Sequence, residues 1–455
     1  MAYTAYEFGH MPVPVALLVL LLFCTIGHLH FALAGLVWAW LVGKHKDSLA
    51  RWVPLILLPL LVAMAERYFP MIFPWNFGYT WMYSSLPFYQ LAEWIGFEGL
   101  SVWSIFTNLA FLLPFLKKNR EKKHWKPAVA AMGLFVVANI AGHILVNRVP
   151  DPDRKVNVLV VQANIGNLEK QYAEKGWGFR SYIINRYTKL TEEGLNQNAD
   201  EKIDFALWPE TAFPFQLHAN KLEFSYARQL ISFLQEKGLA LVTGSYSKDI
   251  KQNKTSNSLF SFNPQGEMTN PQYNKTLLLA FGEYIPFGDR FPILKTWLEE
   301  VADFARGSGP SIFHQGNIRL GAQICYEGLF PEFSKSLADK GAHLIVNVTN
   351  DSWYGKFSEP YQHMYMTLAR AIELRLPVVR STNTGFTTAV TAKGEIMARS
   401  PLYVEWHHLY RIPYLENPPR TFFQVYGIYL VPALLWLLFF ITIGGLFYRV
   451  QFGKH

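Results

Sequence analysis

The stretch that decides the fold is IRLGAQICYEGLFPEFSKSLADKG, residues 318–341. It begins as an apolar strand, reaches Cys325 where that strand ends, and passes Glu327 into a helix-like segment. The chain holds two cysteines, and the other, Cys24, lies in an apolar run where packing accounts for it. A thiol beside a carboxylate at a strand–helix turn indicates a nucleophile, with a buried packing cysteine as the alternative.

Long apolar regions flank this stretch at both ends of the 455-residue chain, which is 51% hydrophobic and 16% aromatic. That distribution is typical of a membrane protein with one large water-facing domain. Five segments approach the roughly 20 apolar residues that a spanning helix needs. They are 13–42, 52–68, 98–116, 127–147 and 422–448. The first is long enough to require a tilt or a kink, and the second is short and contains Pro54 and Pro59.

Basic residues predict the orientation of these spans. They cluster at 43–51, at 117–126 and at the C-terminus, whereas the first ten residues contain none. Since cytoplasmic loops are enriched in Lys and Arg, the N-terminus is expected outside and the C-terminus inside. The net charge of +8 is then a topology signal, and no motif for nucleic-acid binding accompanies it.

Three regions follow from this topology. Residues 1–147 form an N-terminal transmembrane region of about four spans with an aromatic periplasmic arm at 69–97. Residues 148–421 form a water-facing domain, and residues 422–455 form a last helix with a cytoplasmic tail. The simplest location is a bacterial inner membrane, crossed several times, with the large domain in the periplasm. The aromatic arm either holds acyl chains or forms an interfacial belt.

The water-facing domain alternates strands and helices from residue 156 onward. Apolar strands are predicted at 156–166, 203–210, 239–247 and in four later segments, with helices at about 176–196 and 219–237. A hairpin turn is predicted at 263–266. Sheets covered by helices, an α/β layered domain, are the expected result. No glycine-rich motif supports nucleotide binding.

Three of these strands end in reactive residues: Glu210, Cys325, and the pair Asn350 and Asp351. Lys275 lies between the Glu and Cys strands. Because the carboxyl ends of strands in α/β folds converge, these groups are expected to share one crevice. Glu, Lys and Cys would then supply a base, a cation and a nucleophile. The alternative is a surface glutamate, a solvated lysine and a packed cysteine.

At these residues the chain resembles the apolipoprotein N-acyltransferases, the integral-membrane branch of the nitrilase (carbon–nitrogen hydrolase) superfamily. Four motifs of the water-facing domain carry the resemblance. They are LWPETAFP (207–214), YNKTLLLAFGEYIPF (273–287), ICYE (324–327) and the stretch 348–385. In the membrane region, FPWNFGYTW (73–81) and GFEGLSVWSI (96–105) are also similar to family segments.

The resemblance implies an integral membrane α-helical bundle plus a periplasmic α/β nitrilase-like domain, an α-β-β-α sandwich. It implies that Glu210 is the base, that Lys275 stabilises the oxyanion and that Cys325 is the nucleophile. Glu283, eight residues after Lys275, would orient that lysine or relay protons. Tyr326 and Glu327 would line the site. No cofactor and no metal are expected.

The implied reaction moves an acyl chain from a phospholipid to Cys325 as a thioester. The α-amino group of an S-diacylglyceryl cysteine, at the N-terminus of an apolipoprotein, then takes the chain. A phospholipid donor, a diacylated apolipoprotein acceptor and the membrane are therefore the expected partners, with no nucleic acid, and the protein is expected to be a monomer. Three alternatives remain: a membrane-bound amidase or hydrolase with the same triad, an acyltransferase for another amine, and a non-catalytic scaffold.

The chain departs from the family pattern at three places. The family has three more spans before the point where this sequence starts, and we expect this chain to lack them. Ala280 stands where a proline is usual, and Tyr172 is the aromatic residue nearest to a position where a tryptophan is usual. The first departure bears on substrate access, and the others bear on tuning rather than on the chemistry.

The topology is testable by cysteine labelling in intact cells. A membrane-impermeant thiol reagent should label Asn253→Cys from outside, because the large domain is predicted to lie there. Lys122→Cys should be labelled only after permeabilisation. The reverse pattern would contradict the orientation, since the reaction requires the site to face emerging lipoproteins.

Overall fold

The computed structural model describes residues 2–44, 53–115, 125–167, 169–170, 177–217, 225–249, 252–298 and 301–452. The chain forms two compact units. The helical unit comprises Leu17–Pro150, Ile372–Leu374 and Arg420–His455, and the α/β unit comprises Met1–Ala16, Asp151–Ala371 and Arg375–Pro419. Lys122, Tyr172 and most of the two basic loops of the topology prediction lie outside the described residues.

The α-helices of the described residues are numbered in chain order. They are α1 (Ala2–Glu7), α2 (Val13–Gly27), α3 (Leu29–Lys44), α4 (Val53–Tyr68), α5 (Tyr79–Ser84), α6 (Ala92–Leu112), α7 (Lys126–Arg148), α8 (Trp177–Gln197), α9 (Ser225–Lys237), α10 (Ile293–Trp297), α11 (Pro331–Asp339), α12 (Glu359–Leu368), α13 (Arg370–Leu374) and α14 (Ile428–Phe452).

Helical stretches that are long and apolar enough to cross a membrane dominate the helical unit. Among the described residues they are Val13–Gly43, Pro87–Phe115, Lys126–Arg148 and Phe423–Gly444. They coincide with four of the predicted spans. The first is interrupted, as its length suggested, because α2 ends at Gly27 and α3 begins at Leu29.

The second predicted span, 52–68, is helical over its described residues. It forms α4, which has 16 residues and is therefore about 24 Å long, whereas the hydrocarbon core of a bilayer is about 30 Å thick. Much of its surface is covered within the unit, since Leu57, Leu60 and Ala63 are buried. The apolar composition of α4 thus reflects packing between helices as much as contact with lipid.

The aromatic arm at 69–97 packs inward at its centre. Tyr79 is only 2% exposed and stacks on Phe97 with ring centroids 5.1 Å apart. A Cβ added at Gly78 would lie 1.7 Å from the Phe97 carbonyl oxygen, so the backbones touch there. Tyr79 is therefore a core residue of the helical unit. This position fits neither of the two predicted roles of the arm, holding acyl chains or forming an interfacial belt.

The strands of the α/β unit form two sheets. The strands are β1 (Arg154–Gln162), β2 (Phe205–Leu207), β3 (Phe213–Gln216), β4 (Leu241–Asp249), β5 (Lys254–Phe262), β6 (Tyr273–Asn274), β7 (Ile312–Gln315), β8 (Ile318–Ile324), β9 (Leu344–Thr349), β10 (Val378–Thr382), β11 (Thr388–Val390), β12 (Ile396–Arg399) and β13 (Trp406–Tyr414). One sheet has the order β13-β1-β2-β4-β5-β6, with β3 paired to β4, and the other has the order β12-β11-β10-β9-β8-β7.

Helices cover the outer face of each sheet. Residues of α8, α9, β1 and β5 share one buried apolar cluster, which includes Tyr187, Leu234, Leu159 and Phe260. On the other sheet, a Cβ added at Gly321 of β8 would lie 3.1 Å from the Leu337 Cβ of α11. The strand and helix pattern predicted sheets covered by helices, and the helix–sheet–sheet–helix layering is the one that the resemblance to the nitrilase superfamily implied.

The sequence prediction missed two of the strand pairings. β13 pairs antiparallel with β1 over its whole length, and β4 forms an antiparallel pair with β5 that starts at Asp249 and Lys254. One of the four later predicted strands, TTAVTAKGEIM at 387–397, instead folds into the antiparallel pair β11 and β12. The predicted turn at 263–266 is confirmed, because the Gly266 amide donates to the Asn263 carbonyl.

A buried glutamine joins the two sheets. Gln162, at the end of β1, accepts hydrogen bonds at Oε1 from the hydroxyls of Thr382, Thr387 and Ser400 at 3.0, 2.7 and 3.0 Å. Its Nε2 donates to two carbonyls of the loop before β13, at 3.1 and 3.0 Å. Both polar atoms of the Gln162 side chain are satisfied. This one side chain therefore links β1 of the first sheet to β10 of the second sheet.

Removal of this amide should destabilise the α/β unit. Gln162→Ala leaves the buried hydroxyls of Thr382, Thr387 and Ser400 without that partner, and an unsatisfied buried polar group costs about 1–3 kcal/mol. The free energy of unfolding, measured by denaturant titration in detergent, should fall by at least that amount. Gln235→Ala, at an exposed position of α9, is the matched control, and an equal loss in both variants would contradict the role of Gln162.

Candidate active site

Cys325 occupies a strained turn at the carboxyl end of β8. Its φ is +51°, a left-handed conformation that a residue with a side chain rarely adopts. A single 3₁₀ turn, Cys325–Leu329, follows, and Pro331 then starts α11. The Asn347 side-chain amide donates to the Cys325 carbonyl at 3.2 Å. The predicted turn between a strand and a helix is thus present. A residue with a side chain keeps a left-handed backbone conformation only where neighbouring groups hold it.

Lys275 lies buried between two carboxylates. Its Nζ is 2.8 Å from Glu283 Oε1 and 3.4 Å from Glu210 Oε1, and the residue is 1% exposed. Burial by itself lowers the pKa of Lys275, but the charges of Glu210 and Glu283 outweigh it and hold that pKa well above its usual value. The lysine is therefore an ammonium ion at neutral pH, as an oxyanion-stabilising group must be.

Asn257 of β5 connects the same two carboxylates. Its Nδ2 donates to Glu210 Oε1 at 2.6 Å and to Glu283 Oε1 at 3.2 Å. The Asn257 carbonyl also accepts from the Lys275 amide at 2.8 Å. Sequence reasoning missed this residue, because an asparagine within a strand carries no local signal of such a role.

The turn that carries Glu210 is held from several sides. Asn383 Nδ2 and Lys170 Nζ donate to the Glu210 carbonyl at 2.7 and 3.0 Å. Thr211 has a φ of +48°. A Cβ added at Gly244 would lie 2.7 Å from the Glu210 Cα, so only glycine fits against this turn. The carboxylate is thus fixed by its backbone as well as by its own contacts.

Glu327 faces the backbone rather than the site. It is fully buried, and its Oε1 accepts from the Tyr273 hydroxyl and from the Thr276 and Leu277 amides at 2.5, 2.6 and 3.1 Å. Its Oε2 accepts from the Ile324 amide at 2.8 Å. The prediction that Glu327 lines the site does not describe these contacts. The side chain instead ties the segment after Lys275 to the turn of Cys325.

Burial also raises the pKa of Glu327 and of Tyr326, the residue before it. Burial raises the pKa of Glu327 to about 7, against the opposing effect of its hydrogen bonds. Burial likewise raises the pKa of Tyr326, whose ring meets Phe330 edge to face at 4.9 Å. The Tyr326 hydroxyl therefore stays protonated at neutral pH.

Burial raises the pKa of the Cys325 thiol well above its ordinary value, and the negative charge of Glu210 raises it further, while Lys275 lowers it. The resting sulfur is therefore a thiol at neutral pH. Chemistry at this sulfur needs a base that takes the proton as the reaction proceeds. Among the carboxylates, Glu210 raises the pKa of the thiol most, ahead of Asp351 and Glu283.

A third polar cluster lies behind the Cys325 turn. Asp351 Oδ2 accepts from Arg380 Nη2 at 2.7 Å, and its Oδ1 is 2.9 Å from His363 Nδ1. Donor atoms of Asp351, Glu359 and His363 lie within 4.8 Å of one another, as metal ligands would. A cation there would meet the Arg380 guanidinium, which already balances the charge of Asp351, so this donor set fits a metal poorly.

Comparisons with known proteins identify the family of this chain. Residues 158–405 match the carbon–nitrogen hydrolase family, and residues 1–110 match the apolipoprotein N-acyltransferase N-terminal domain. A protein of Bdellovibrio bacteriovorus called apolipoprotein N-acyltransferase is 44% identical over 94% of this chain and 79% of its own length. The chain belongs to the apolipoprotein N-acyltransferase family. This membership makes it a membrane-associated acyltransferase with a nitrilase-like domain.

Other relatives are covered less completely. An apolipoprotein N-acyltransferase of Geobacter metallireducens is 32% identical over 73% of this chain and 63% of its own length. Among solved structures, an amidase from Nesterenkonia sp. aligns with a TM-score of 0.42 and 17% identity, over 61% of this chain and 96% of the amidase.

The effect of Glu210 on the thiol is testable by alkylation. Because a negative charge beside a thiol raises its pKa, Glu210→Gln should shift the pH profile of Cys325 alkylation by iodoacetamide to lower pH. Peptide mass spectrometry separates this signal from that of Cys24. Glu332→Gln, at an exposed position of α11, should leave the profile unchanged. A Glu210→Gln profile identical to wild type would show that the carboxylate is too distant to act on the sulfur.

Proposed function

We propose that the protein transfers an acyl chain from a phospholipid, through a thioester on Cys325, to the α-amino group of the N-terminal S-diacylglyceryl cysteine of apolipoproteins. One observation carries the proposal. A buried ammonium, Lys275, is held between Glu210 and Glu283 in the same site as a strained cysteine. Membership of the apolipoprotein N-acyltransferase family supplies the substrate class.

In the first half-reaction Glu210 takes the proton of the Cys325 thiol while the sulfur attacks the ester carbonyl of the phospholipid. The oxyanion that forms is stabilised by the Lys275 ammonium. The carbon–oxygen bond then breaks, the lysophospholipid oxygen receives the proton from Glu210, and the acyl chain stays on the sulfur. In this sequence of steps the proton leaves the sulfur as the sulfur attacks, which is what a thiol with a raised pKa requires.

In the second half-reaction the amine attacks the thioester. Glu210 takes a proton from the amine nitrogen, the carbon–sulfur bond breaks, and Glu210 returns the proton to the Cys325 sulfur. Glu283 keeps the ammonium of Lys275 in place through both steps. Its own position is fixed, since its Oε2 accepts from the Leu279 amide at 2.9 Å.

The location follows from the substrates. The phospholipid donor lies in a membrane, and the diacylated apolipoprotein is anchored to one by its lipid. The α/β unit is therefore proposed to work at the periplasmic surface of a bacterial inner membrane. The apolar helical stretches within the described residues support the membrane location, and the basic segments of the sequence support the orientation. We propose that the protein acts as a monomer.

A two-step mechanism predicts a stable acyl-enzyme. With phospholipid alone, intact-mass spectrometry should show one acyl chain on Cys325, and that chain should leave when a diacylated lipopeptide is added. Cys325→Ala should never gain the chain, and Cys325→Ser should be nearly inert because a serine hydroxyl is harder to ionise. Lys275→Ala should acylate more slowly, by roughly 10²–10³-fold if it serves as one oxyanion donor.

The amidase or hydrolase alternative makes a different prediction for the same experiment. Water would then resolve the thioester, so free fatty acid would accumulate with phospholipid alone. A wild-type protein that never gains the acyl mass, or that sheds it as fatty acid without an amine, would overturn the acyl-transfer proposal. Cys24→Ala is the control, since that cysteine lies in α2 and has no part in the site.

A further inference from the structure

The two carboxylates beside Lys275 are bound unequally. Both oxygens of Glu283 accept hydrogen bonds, since Oε1 lies 2.8 Å from Lys275 Nζ and Oε2 accepts from the Leu279 amide at 2.9 Å. Glu210 is different, because the hydrogen bonds that described residues donate to its carboxylate both reach Oε1, one from Asn257 Nδ2 and one from Lys275 Nζ. Oε2 of Glu210 is therefore the oxygen that the described residues leave to receive a proton.

The contact between Lys275 and Glu210 is long for an ion pair. Lys275 Nζ lies 3.4 Å from Glu210 Oε1, whereas a charged N–H donor usually approaches a carboxylate oxygen to about 2.7–2.9 Å. Asn257 Nδ2 lies 2.6 Å from the same oxygen. The amide is thus the closer partner of Glu210, and it holds this carboxylate short of a full ion pair with the lysine.

The order of the strands places Asn257 where it can do this. β4 lies between β2, which precedes Glu210, and β5, which carries Asn257. Asn257 pairs with Tyr246 of β4, and Gly244, two residues before Tyr246, lies on the same face of that strand. A Cβ added at Gly244 would lie 2.7 Å from the Glu210 Cα. The missing side chain therefore lets the turn of Glu210 approach the face on which Asn257 lies.

The other end of the Asn257 amide has no donor. Its Oδ1 is buried and accepts no hydrogen bond in the described part of the chain, which is unfavourable for a buried acceptor. Gln162, the amide that links the two sheets, has partners at both of its polar atoms. Turning the Asn257 amide over would bring Oδ1 against both carboxylates, so the observed orientation serves only the contacts of Nδ2.

We propose that Asn257 is a positioning residue for acyl transfer: it keeps Glu210 Oε1 from closing on the Lys275 ammonium, so that Oε2 remains available as the base and the ammonium remains available to the oxyanion. Without the amide, the opposite charges would form a tight ion pair. That pair would weaken the base and occupy the oxyanion donor together. The inference rests on the proposed roles of Glu210 and Lys275. It leaves Glu283, whose two oxygens are both occupied, to orient the lysine.

Two substitutions of nearly constant shape separate the donor from the space that it fills. Asn257→Leu removes the N–H groups, so Glu210 can close on Lys275. Asn257→Asp puts a third carboxylate in place of the donor, and this negative charge favours protonated carboxyl groups at the site. Asn157→Leu and Asn157→Asp are the matched controls, because Asn157 also lies in a strand of the α/β unit but donates to the Lys202 carbonyl at 2.7 Å, outside the site.

The measurement is the rate of Cys325 acylation in mixed micelles of detergent and phosphatidylethanolamine, followed by intact mass over a range of lipid concentrations and pH. Asn257→Leu should lower the maximal rate by about 10- to 10²-fold, the effect of a misplaced reacting group. The lipid concentration that gives half the maximal rate should change little, because the Asn257 side chain binds the two carboxylates.

The pH profile distinguishes positioning from a structural role. Since added negative charge favours the protonated base, Asn257→Asp should shift the acid limb of the profile to higher pH, by about one unit or more. Glu283, Lys275 and Cys325 face the same site and are unchanged in every variant, so a shift reports the substitution. Both Asn157 variants should match wild type. A purely structural role would lower the amount of protein that can be acylated and leave the rate and pH profile of the remainder unchanged.

Three results would overturn the inference: Asn257→Leu with the wild-type maximal rate, Asn257→Leu with a loss confined to the half-saturating lipid concentration, or Asn257→Asp with the wild-type acid limb. If Asn257→Leu fails to fold, Asn257→Asp carries the test alone, because aspartate matches asparagine in shape. A wild-type protein that never gains the acyl mass would defeat the proposed function instead, so the two failures are distinguishable.

Discussion

The structure of the α/β unit depends on one buried cation. Lys275 carries its charge at a position that is 1% exposed, where an unpaired ammonium would be very costly. Glu283 and Glu210 compensate it from two different segments, and Asn257 holds both carboxylates in place. Removing one partner of such a pair typically costs about 3–5 kcal/mol. The residues proposed for catalysis are therefore also a condition for a stable core.

The burial of the site also explains why Cys325, the proposed nucleophile, rests as a protonated thiol. A site dry enough to strengthen the attraction between Lys275 and its carboxylates also penalises a free thiolate. Glu210 adds to that penalty through its charge. The proton can then leave the sulfur only as a substrate arrives. A resting thiol is also less prone to oxidation than a thiolate would be.

Strain in the site is balanced by contacts on the far side of each turn. The turn of Glu210 closes on Gly244, and the turn of Cys325 is held by Glu327 and Asn347. Glu327 also binds the segment that follows Lys275, so movement of one motif disturbs the other. Neither turn would keep its shape in an isolated peptide, because the groups that hold it come from other strands.

The sequence by itself determined the long apolar segments and the α/β layering, and it singled out Glu210, Lys275 and Cys325 as candidates, because these depend on local hydrophobic patterns and on short motifs. Only the tertiary structure decided the rest. It bound Glu327 to the backbone of two segments, brought Asn257 between two carboxylates and joined Asp351 to both Arg380 and His363. It also paired β13 with β1 and buried Leu57, Leu60 and Ala63 of α4 within the helical unit. Each of these outcomes depends on which distant segments meet, and a one-dimensional pattern records the chemistry of a side chain but not the partner that folding brings to it.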